Sequence, residues 1–209
     1  MNYEWLNKNS NNKNIIVFFG GWGQSKSPFE NNFSDYDILM FYDYETFEEI
    51  NFDFSNYEKK YLIAWSMGVF VCNYYYEIFK DFNKLTAING TQKPIDDVFG
   101  IPETIYNLTL ENFNELSCTK FIKKMAPSIS SQDYCTRTIN ELRNELIAIR
   151  DIKPINFLKF DKAIISEKDK IIPALNQQNW WQMQNVQIIK LENAPHYIFN
   201  LYNNWSDLI

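Results

Sequence analysis

Short apolar runs recur along the chain, and their alternation with longer polar stretches limits the folds that it can adopt. Six such runs occur, at 14–19, 36–41, 61–64, 85–89, 163–166 and 186–191. Runs of this length that are apolar on both faces are typical of buried strands. The intervening stretches suit helices, most clearly 68–79, where Val71, Tyr75 and Ile78 have helical spacing. The pattern predicts an α/β fold with a mostly parallel, doubly wound sheet of about six strands.

The size and charge of the chain restrict its class. It has 209 residues, of which 45% are hydrophobic and 17% aromatic, so we expect a single domain over 1–209 with a substantial core. The net charge of -6 argues against a nucleic-acid partner, which normally requires a basic face. No apolar run approaches the roughly 20 residues that span a bilayer, and residues 1–14 do not resemble a signal peptide. We therefore expect a cytoplasmic protein without a membrane partner.

Metal-binding and disulfide patterns are not found in the sequence. Cys72, Cys118 and Cys135 form no close pair and no CxxC motif, so free thiols in a reducing compartment are the simplest interpretation. His196 is the only histidine. With one histidine and no cysteine cluster, we expect neither a zinc site nor any other metal or cofactor.

One long interval, 91–156, contains no convincing strand. A helix is predicted over about 131–151, with Ser131 as N-cap. Its apolar residues step by four, three, four and three along one face: Cys135, Ile139, Leu142, Leu146 and Ile149. A second helix is predicted over about 111–125, ending before Pro127. Because insertions of this length are usually functional, we expect the interval to form a helical lid over the carboxyl end of the sheet, and we call it the lid.

The turn after the third run has the context of a nucleophile elbow. The predicted strand at 61–64 runs into Trp65-Ser66-Met67-Gly68 and then into a helix. The sharp turn of a G-x-S-x-G elbow requires small residues two before and two after the serine, and Ala64 and Gly68 are small. Ala64 in place of glycine adds one methyl group. Ser66 is therefore the candidate nucleophile, and the simpler alternative is a strand-to-helix turn with a serine cap.

Candidate partners for the serine follow the later strands. A serine hydroxyl needs a base to remove its proton, and His196 is the only imidazole available. Asp169 follows the fifth run, at the edge of the sheet where active sites of this fold gather. It is the candidate acid that orients the imidazole, with Glu167 and Asp161 as its nearest rivals. The chain order Ser, Asp, His is that of the α/β-hydrolases, so the sequence predicts a catalytic triad.

The first run ends in Gly20-Gly21-Trp22-Gly23, here called the glycine loop. Glycines let the backbone turn and point N–H groups at a developing oxyanion. The predicted donors are the amides of Trp22 and Met67. A phosphate-binding loop is the competing interpretation, but the G-x-G-x-x-G and Walker spacings are absent. A plain strand-to-helix turn is the simplest alternative and is compatible with the oxyanion hole.

Several blocks of sequence support a closer comparison. They are Phe18-Phe19-Gly20-Gly21-Trp22-Gly23, Ala64-Trp65-Ser66-Met67-Gly68-Val69, Ala87-Ile88-Asn89-Gly90-Thr91 with Pro94-Ile95-Asp96-Asp97 and Gly100-Ile101-Pro102, and Pro195-His196. Together they resemble the BioG-type pimeloyl-[acyl-carrier protein] methyl ester esterases over nearly the whole chain. Gly20 stands where the larger BioH-type esterases carry histidine. The resemblance implies an α/β-hydrolase that cleaves the methyl ester of pimeloyl-acyl carrier protein in biotin synthesis.

The resemblance also assigns roles to residues. It implies Ser66 as nucleophile, His196 as base, Asp169 as acid, and Trp22 and Met67 as oxyanion donors. An apolar channel under the lid would fit the substrate, with its wall formed by Trp22, Trp65, Tyr74, Phe113 and Phe121, or these aromatics simply pack in the core. The acidic carrier protein would dock on basic lid residues: Lys120, Lys123, Lys124, Arg137, Arg143 and Arg150. Acidic residues are interspersed there, so a solvated helix face is the alternative.

Other functions remain open at this point. A general small carboxylesterase or an acyl-thioesterase would use the same triad chemistry. A hydrolase-like scaffold that binds a ligand without turnover is the non-enzymatic alternative.

Overall fold

One seven-stranded sheet forms the centre of the computed structural model, which describes residues 1–9, 11–30, 33–128 and 137–209. The strands are β1 Asn2–Asn7, β2 Asn14–Phe19, β3 Asp37–Tyr42, β4 Lys59–Trp65, β5 Lys84–Ile88, β6 Lys162–Ser166 and β7 Gln187–Leu191. Their order is β1-β3-β2-β4-β5-β6-β7, with every neighbouring pair parallel except β1 and β3. The predicted α/β class and all six predicted strands are confirmed.

The seventh strand, β1, was not predicted. It pairs antiparallel with β3 at the edge of the sheet and is only half-buried. An edge strand with one covered face mixes polar and apolar residues instead of forming a continuous apolar run. Its sequence, NYEWLN, therefore lacks the signal that marks the buried strands.

The helix after β4 is broken into short pieces. α1 Gly68–Val71 is followed by a 3₁₀ turn over Cys72–Tyr75 and by α2 Tyr76–Phe79. The side-chain amide of Asn73 donates to the carbonyls of Val69 and Phe70. A side chain that competes in this way for helix carbonyls disturbs regular α-helical bonding, so the predicted continuous helix over 68–79 is corrected to three pieces.

The lid contains α3 Glu103–Asn112, α4 Glu115–Met125 and α5 Ile139–Asp151. The predicted helix over 111–125 is wrong at its start, because Asn112 ends α3 and Asn114 caps α4 in a capping box with Ser117. α5 begins at Ile139 after the cap residue Thr138 instead of near 131. The predictions for Ser131 and Cys135 concern residues outside the described ranges. The last helix, α6 Ala174–Met183, precedes β7.

The sheet is covered on both faces by apolar side chains. Ile15, Val17 and Phe19 of β2 face the core under α1 and the lid, whereas Ile16 and Phe18 face a second core. The predicted apolar stripe of α5 is buried at Leu142, Leu146 and Ile149. These residues of α5 therefore pack in the same core as the side chains of Ile15, Val17 and Phe19.

Two further findings concern the described part of the chain. Cys72 is buried and Cys118 is half-buried. Across the ranges with described coordinates, no helix combines the length and apolar character required to cross a bilayer.

Candidate active site

The turn after β4 has the geometry of a nucleophile elbow. Ser66 follows the strand with φ of 57°, in the left-handed region that is uncommon for residues other than glycine. Its amide donates a 2.9 Å hydrogen bond to the carbonyl of Ile88 at the end of β5. At Gly68 a Cβ would lie 2.4 Å from the carbonyl oxygen of Gly20, so the crossing of the elbow and the glycine loop requires glycine there. The tight turn projects the serine hydroxyl beyond the edge of the sheet.

Three predicted side chains meet at this edge. Nε2 of His196 lies 2.9 Å from Oγ of Ser66, and Nδ1 lies 2.7 Å from Oδ2 of Asp169. The imidazole and the carboxylate are both fully buried. An imidazole that donates from Nδ1 to a carboxylate presents an unprotonated Nε2 to the serine, which is the tautomer that a general base requires.

The two rival acids lie elsewhere. Oδ2 of Asp161 accepts a 2.8 Å hydrogen bond from the amide of Leu85, at the amino end of β5. Glu167 is exposed. Asp169 is the carboxylate that reaches the imidazole because the loop after β6 turns inward, which its own side chain stabilises by accepting hydrogen bonds from the amides of Ile171 and Ile172.

Gln177 on α6 is part of the site, although no sequence pattern indicates it. Its side-chain amide donates a 2.9 Å hydrogen bond to Oδ2 of Asp169 and another of 2.9 Å to the carbonyl of Ile172. The residue is fully buried. Together with the two backbone amides, Gln177 fixes the orientation of the carboxylate. A glutamine on a helix has no pattern that would distinguish this role in advance.

Asn89, within the Ile88-Asn89-Gly90-Thr91 block, has φ of 45° and is almost fully buried. Its side-chain amide donates to the carbonyl of His196 at 2.7 Å and to Oγ of Ser166 at 2.8 Å. Its Oδ1 accepts a 2.7 Å hydrogen bond from the amide of Ser166. Asn89 thus links the ends of β5 and β6 to the backbone of the histidine, a function that the sequence reasoning missed.

The backbone amides of Trp22 and Met67 are the predicted oxyanion donors. Neither the amide of Trp22 nor that of Met67 donates to another group within the described ranges. Both residues line the same cavity as Ser66. A Cβ at Gly21 would lie 3.2 Å from Cβ of Ser66, so the glycine loop packs directly against the elbow. Free amides at this position can donate to an oxyanion.

A cavity of about 280 Å³ opens from Ser66 toward the lid. Trp22 forms its apolar wall with Phe113 and Phe121, and the ring centroids of these two lie 5.0 and 4.9 Å from the Trp22 ring. Lys120 and Lys124 also line it, together with Lys170, which was not predicted, and Ser117. The cavity is therefore apolar in its wall and carries lysine side chains.

Two of the predicted wall residues lie elsewhere, and their assignment is wrong. Trp65 is fully buried in the second core, where it packs against Phe29 and Phe199, and its Nε1 donates to the carbonyl of His196. Residues alternate between the faces of a strand, so Trp65 points away from the cavity. Tyr74 is half exposed beside Phe47 in a separate groove.

The predicted docking residues fall into two groups. Lys120, Lys123 and Lys124 are exposed on α4. The arginines are engaged within the protein. Arg137 pairs with Asp43, Glu45 and Glu145, Arg143 donates to the carbonyl of Phe113, and Arg150 pairs with Asp151. Arg137 and Arg143 are only partly accessible, so their assignment to a docking surface is corrected to a structural one.

The described residues contain no group of three or more histidine, cysteine, aspartate and glutamate side chains that could hold a metal ion. The contacts at the serine join its hydroxyl to an imidazole and, through that imidazole, to a carboxylate.

The mostly parallel sheet and its likeness to solved structures define the α/β-hydrolase fold. The family that matches the chain identifies it as an esterase-like enzyme of this fold. The chain belongs to the family described as "Pimeloyl-ACP methyl esterase BioG", whose model matches residues 1–208. The resemblance found in the sequence is thereby confirmed.

Similar proteins agree with this family. The crystal structure of BioG from Haemophilus influenzae has a TM-score of 0.87 and 31% identity, covering 100% of this chain and 99% of that one. A malonyl-[acyl-carrier protein] O-methyltransferase of Bacteroides fragilis is 37% identical over 88% of this chain, which spans only 40% of that relative's length. A lipase-esterase related protein from Clostridium acetobutylicum shares the fold, with a TM-score of 0.61, 13% identity, and coverage of 94% of this chain and 92% of that one.

Proposed function

We propose that this protein hydrolyses the methyl ester of pimeloyl-[acyl-carrier protein] by a Ser-His-Asp mechanism, releasing methanol in biotin synthesis. The observation that carries the proposal is the chain of contacts from Asp169 through His196 to Ser66, at 2.7 and 2.9 Å, beside two amides without partners. The family supports the substrate class.

In the first half-reaction, Oγ of Ser66 forms a bond to the ester carbonyl carbon while its proton passes to Nε2 of His196. The carbonyl oxygen becomes an oxyanion that accepts hydrogen bonds from the amides of Trp22 and Met67. When the tetrahedral intermediate collapses, the C–O bond to the methoxy group breaks. The imidazolium protonates the departing oxygen, and methanol leaves an acyl-enzyme.

The second half-reaction repeats these steps with water. His196 takes a proton from a water molecule, whose oxygen attacks the acyl carbon, and the same amides stabilise the second oxyanion. Collapse returns the proton to Oγ of Ser66 and releases the carboxylic acid, which ionises in water. Asp169 remains ionised throughout and stabilises the imidazolium at each stage.

The cavity supports a carrier-bound acyl chain. Its apolar wall of Trp22, Phe113 and Phe121 suits a methylene chain. The lysines of α4 suit the phosphate of a phosphopantetheine arm and the acidic surface of an acyl carrier protein. The Bacteroides relative, named for methylating malonyl-[acyl-carrier protein], also favours a carrier-bound methyl ester, because 88% of the present chain aligns within it.

The test is hydrolysis of purified methyl pimeloyl-[acyl-carrier protein], followed by mass spectrometry of the carrier and by methanol release. The wild type should produce the free acid and methanol, and Ser66→Ala should do neither. A fluorophosphonate should label the wild type and not Ser66→Ala.

Three outcomes would redirect the assignment. Rapid hydrolysis of short esters without preference for the carrier-bound ester indicates a general carboxylesterase. Release of the acyl chain from the carrier indicates a thioesterase. Absence of labelling in folded wild type indicates a binding protein without turnover.

A further inference from the structure

Glu145 on α5 is a fully buried carboxylate that the triad does not use. Its Oε2 accepts a 3.1 Å hydrogen bond from the amide of Gly23 and lies 2.6 Å from a guanidinium nitrogen of Arg137. Its Oε1 accepts a 3.1 Å hydrogen bond from the amide of Tyr44. Gly23 belongs to the glycine loop, and Tyr44 follows β3. One lid side chain therefore binds two loops at the carboxyl edge of the sheet.

A second contact joins the same helix to the same loop. Nε1 of Trp22 donates a 2.8 Å hydrogen bond to the carbonyl of Leu142, one turn before Glu145. Gly23 has φ of 70°, and a Cβ there would lie 3.1 Å from Cδ2 of Leu142. Two consecutive residues of the glycine loop are thus bound to α5, one through its side chain and one through its backbone.

The other end of the glycine loop is held through Tyr44. The hydroxyl of Tyr44 donates to the carbonyl of Gly20 at 2.8 Å and to that of Phe41 at 3.1 Å. Since Glu145 accepts from the amide of Tyr44, it contributes to both ends of the loop. The amide of Trp22 lies between these two attachment points.

Packing alone does not require a carboxylate at this position. A buried ion pair is often no more stabilising than apolar side chains of similar volume. Burial raises the pKa of Glu145 from 4.5 to about 7, whereas Arg137 and the two backbone amides act in the opposite direction. Two amides and a guanidinium donate to the carboxylate of Glu145. An apolar side chain at this position would leave all three donors without an acceptor.

We propose that Glu145 is a positioning residue that holds the glycine loop so that the amide of Trp22 points at the oxyanion, and thereby makes activity depend on the placement of the lid. This inference rests on the proposed ester hydrolysis. Oxyanion donors act only when they lie about 2.7–3.1 Å from the developing charge. A small displacement of the loop therefore reduces stabilisation of the transition state more than it reduces substrate binding.

Glu145→Gln tests the proposal, with Glu141→Gln on the exposed face of the same helix as matched control. A glutamine offers one acceptor oxygen and turns an NH₂ group toward a former donor. Steady-state constants for a methyl ester are expressed per fluorophosphonate-reactive site. A loss of folded protein therefore does not lower the measured kcat. We expect kcat to fall about 10-fold or more in Glu145→Gln, with KM within about twofold, because removing an oxyanion donor costs about 10²–10³-fold.

Inhibitors separate positioning from folding. A trifluoromethyl ketone forms a tetrahedral adduct with the serine, whereas the matching methyl ketone resembles the ground state. Glu145→Gln should weaken binding of the trifluoromethyl ketone by the same factor as it lowers kcat, and it should leave binding of the methyl ketone unchanged. Glu141→Gln should change the binding of neither ketone. An unchanged kcat, or equal weakening of both ketones, overturns the inference.

If Glu145→Gln does not fold, Tyr44→Phe is the variant to test, because it removes only the hydroxyl that donates to the carbonyls of Gly20 and Phe41. Its kcat should fall about 5-fold, which corresponds to one lost hydrogen bond of about 1 kcal/mol, and an unchanged value overturns the inference. Wild-type activity separates the two proposals: a wild type inactive on methyl esters refutes the proposed function, whereas an active wild type with an equally active Glu145→Gln refutes only the role of Glu145.

Discussion

The side-chain amide of Asn89 donates a 2.7 Å hydrogen bond to the backbone carbonyl of His196, 107 residues further along the chain. Asn89 follows β5 and His196 lies in the loop after β7, and Asn89 is also bonded to Ser166 at the end of β6. One asparagine therefore joins the carboxyl ends of three neighbouring strands. It fixes the backbone of the histidine and leaves the ring free for the serine and the aspartate.

Replacing Asn89 with alanine should lower the free energy of unfolding by about 2–4 kcal/mol, because buried groups lose their partners and the left-handed backbone is retained. Asn193→Ala is the matched control, since Asn193 also has positive φ but is exposed. It should lose only about 1–2 kcal/mol, the strain of the left-handed region. Chemical denaturation measures both, and equal losses would contradict the role given to the Asn89 side chain.

Asp169→Asn should reduce kcat by about 10⁴-fold with little change in KM, because an amide favours the wrong imidazole tautomer. Asp161→Asn is the control, since its carboxylate accepts from Leu85 at the other end of the sheet. It should retain the activity of the wild type. Steady-state hydrolysis of a methyl ester measures both variants, and a greater loss in Asp161→Asn would reverse the assignment of the acid.

Gln177→Leu should lower kcat about 10-fold, because it removes one hydrogen bond to an ionised carboxylate that is otherwise fixed by two backbone amides. Gln178→Leu changes the same residue type one position further and should leave kcat unaltered. The readout is kcat per labelled serine. Equal values for Gln177→Leu and the wild type would show that the backbone amides alone orient Asp169.

Reversing Lys120, Lys123 and Lys124 to glutamate should reduce kcat/KM on the carrier-bound ester about 10-fold or more, since like charges would then face an acidic carrier. Dimethyl pimelate, which lacks the carrier, should be affected far less. The same charge change at Lys13, Lys59 and Lys190, exposed residues outside the cavity, is the control. Equal losses on both esters would refute docking at α4. Arg137 is left unchanged, because it is bound to Glu145.

The stability of the wild type should depend on the ionisation of Glu145. Its pKa is raised from 4.5 to about 7 in the folded protein, so the folded state binds more protons than the unfolded state between these two values. The unfolding free energy should therefore fall as pH rises from about 4.5 to about 7, by about 3 kcal/mol relative to Glu145→Gln. The groups facing Glu145 are Arg137, Asp43, Tyr44 and Tyr106.

Denaturation of both proteins from about pH 5 to about pH 8 measures this difference, since the ionisations that they share cancel. A constant difference across the range would show that Glu145 has an ordinary pKa in the folded state.

Local pattern was sufficient for six of the seven strands and for the elbow. Six runs of apolar residues predicted six strands, and small residues around Ser66 predicted a sharp turn, because both depend on neighbours in the chain. Once the strands are parallel, their carboxyl ends share one edge. The convergence of Ser66, Asp169 and His196 therefore followed from their positions in the segments after the carboxyl ends of β4, β6 and β7.

Other features depend on contacts between distant segments. The direction of Trp65 follows from which face of β4 meets the second core, and the engagement of Arg137 follows from where α5 lies against the loop after β3. The contacts of Asn89, Gln177 and Glu145 likewise join elements that meet only after the sheet and lid have packed. The sequence by itself determined which six segments form the apolar strands, which turn is sharp and which residues can react, whereas the edge strand β1 had no apolar run to mark it. Only the tertiary structure decided which side chains hold them in place, because a hydrogen bond depends on distances between atoms that are far apart in the chain.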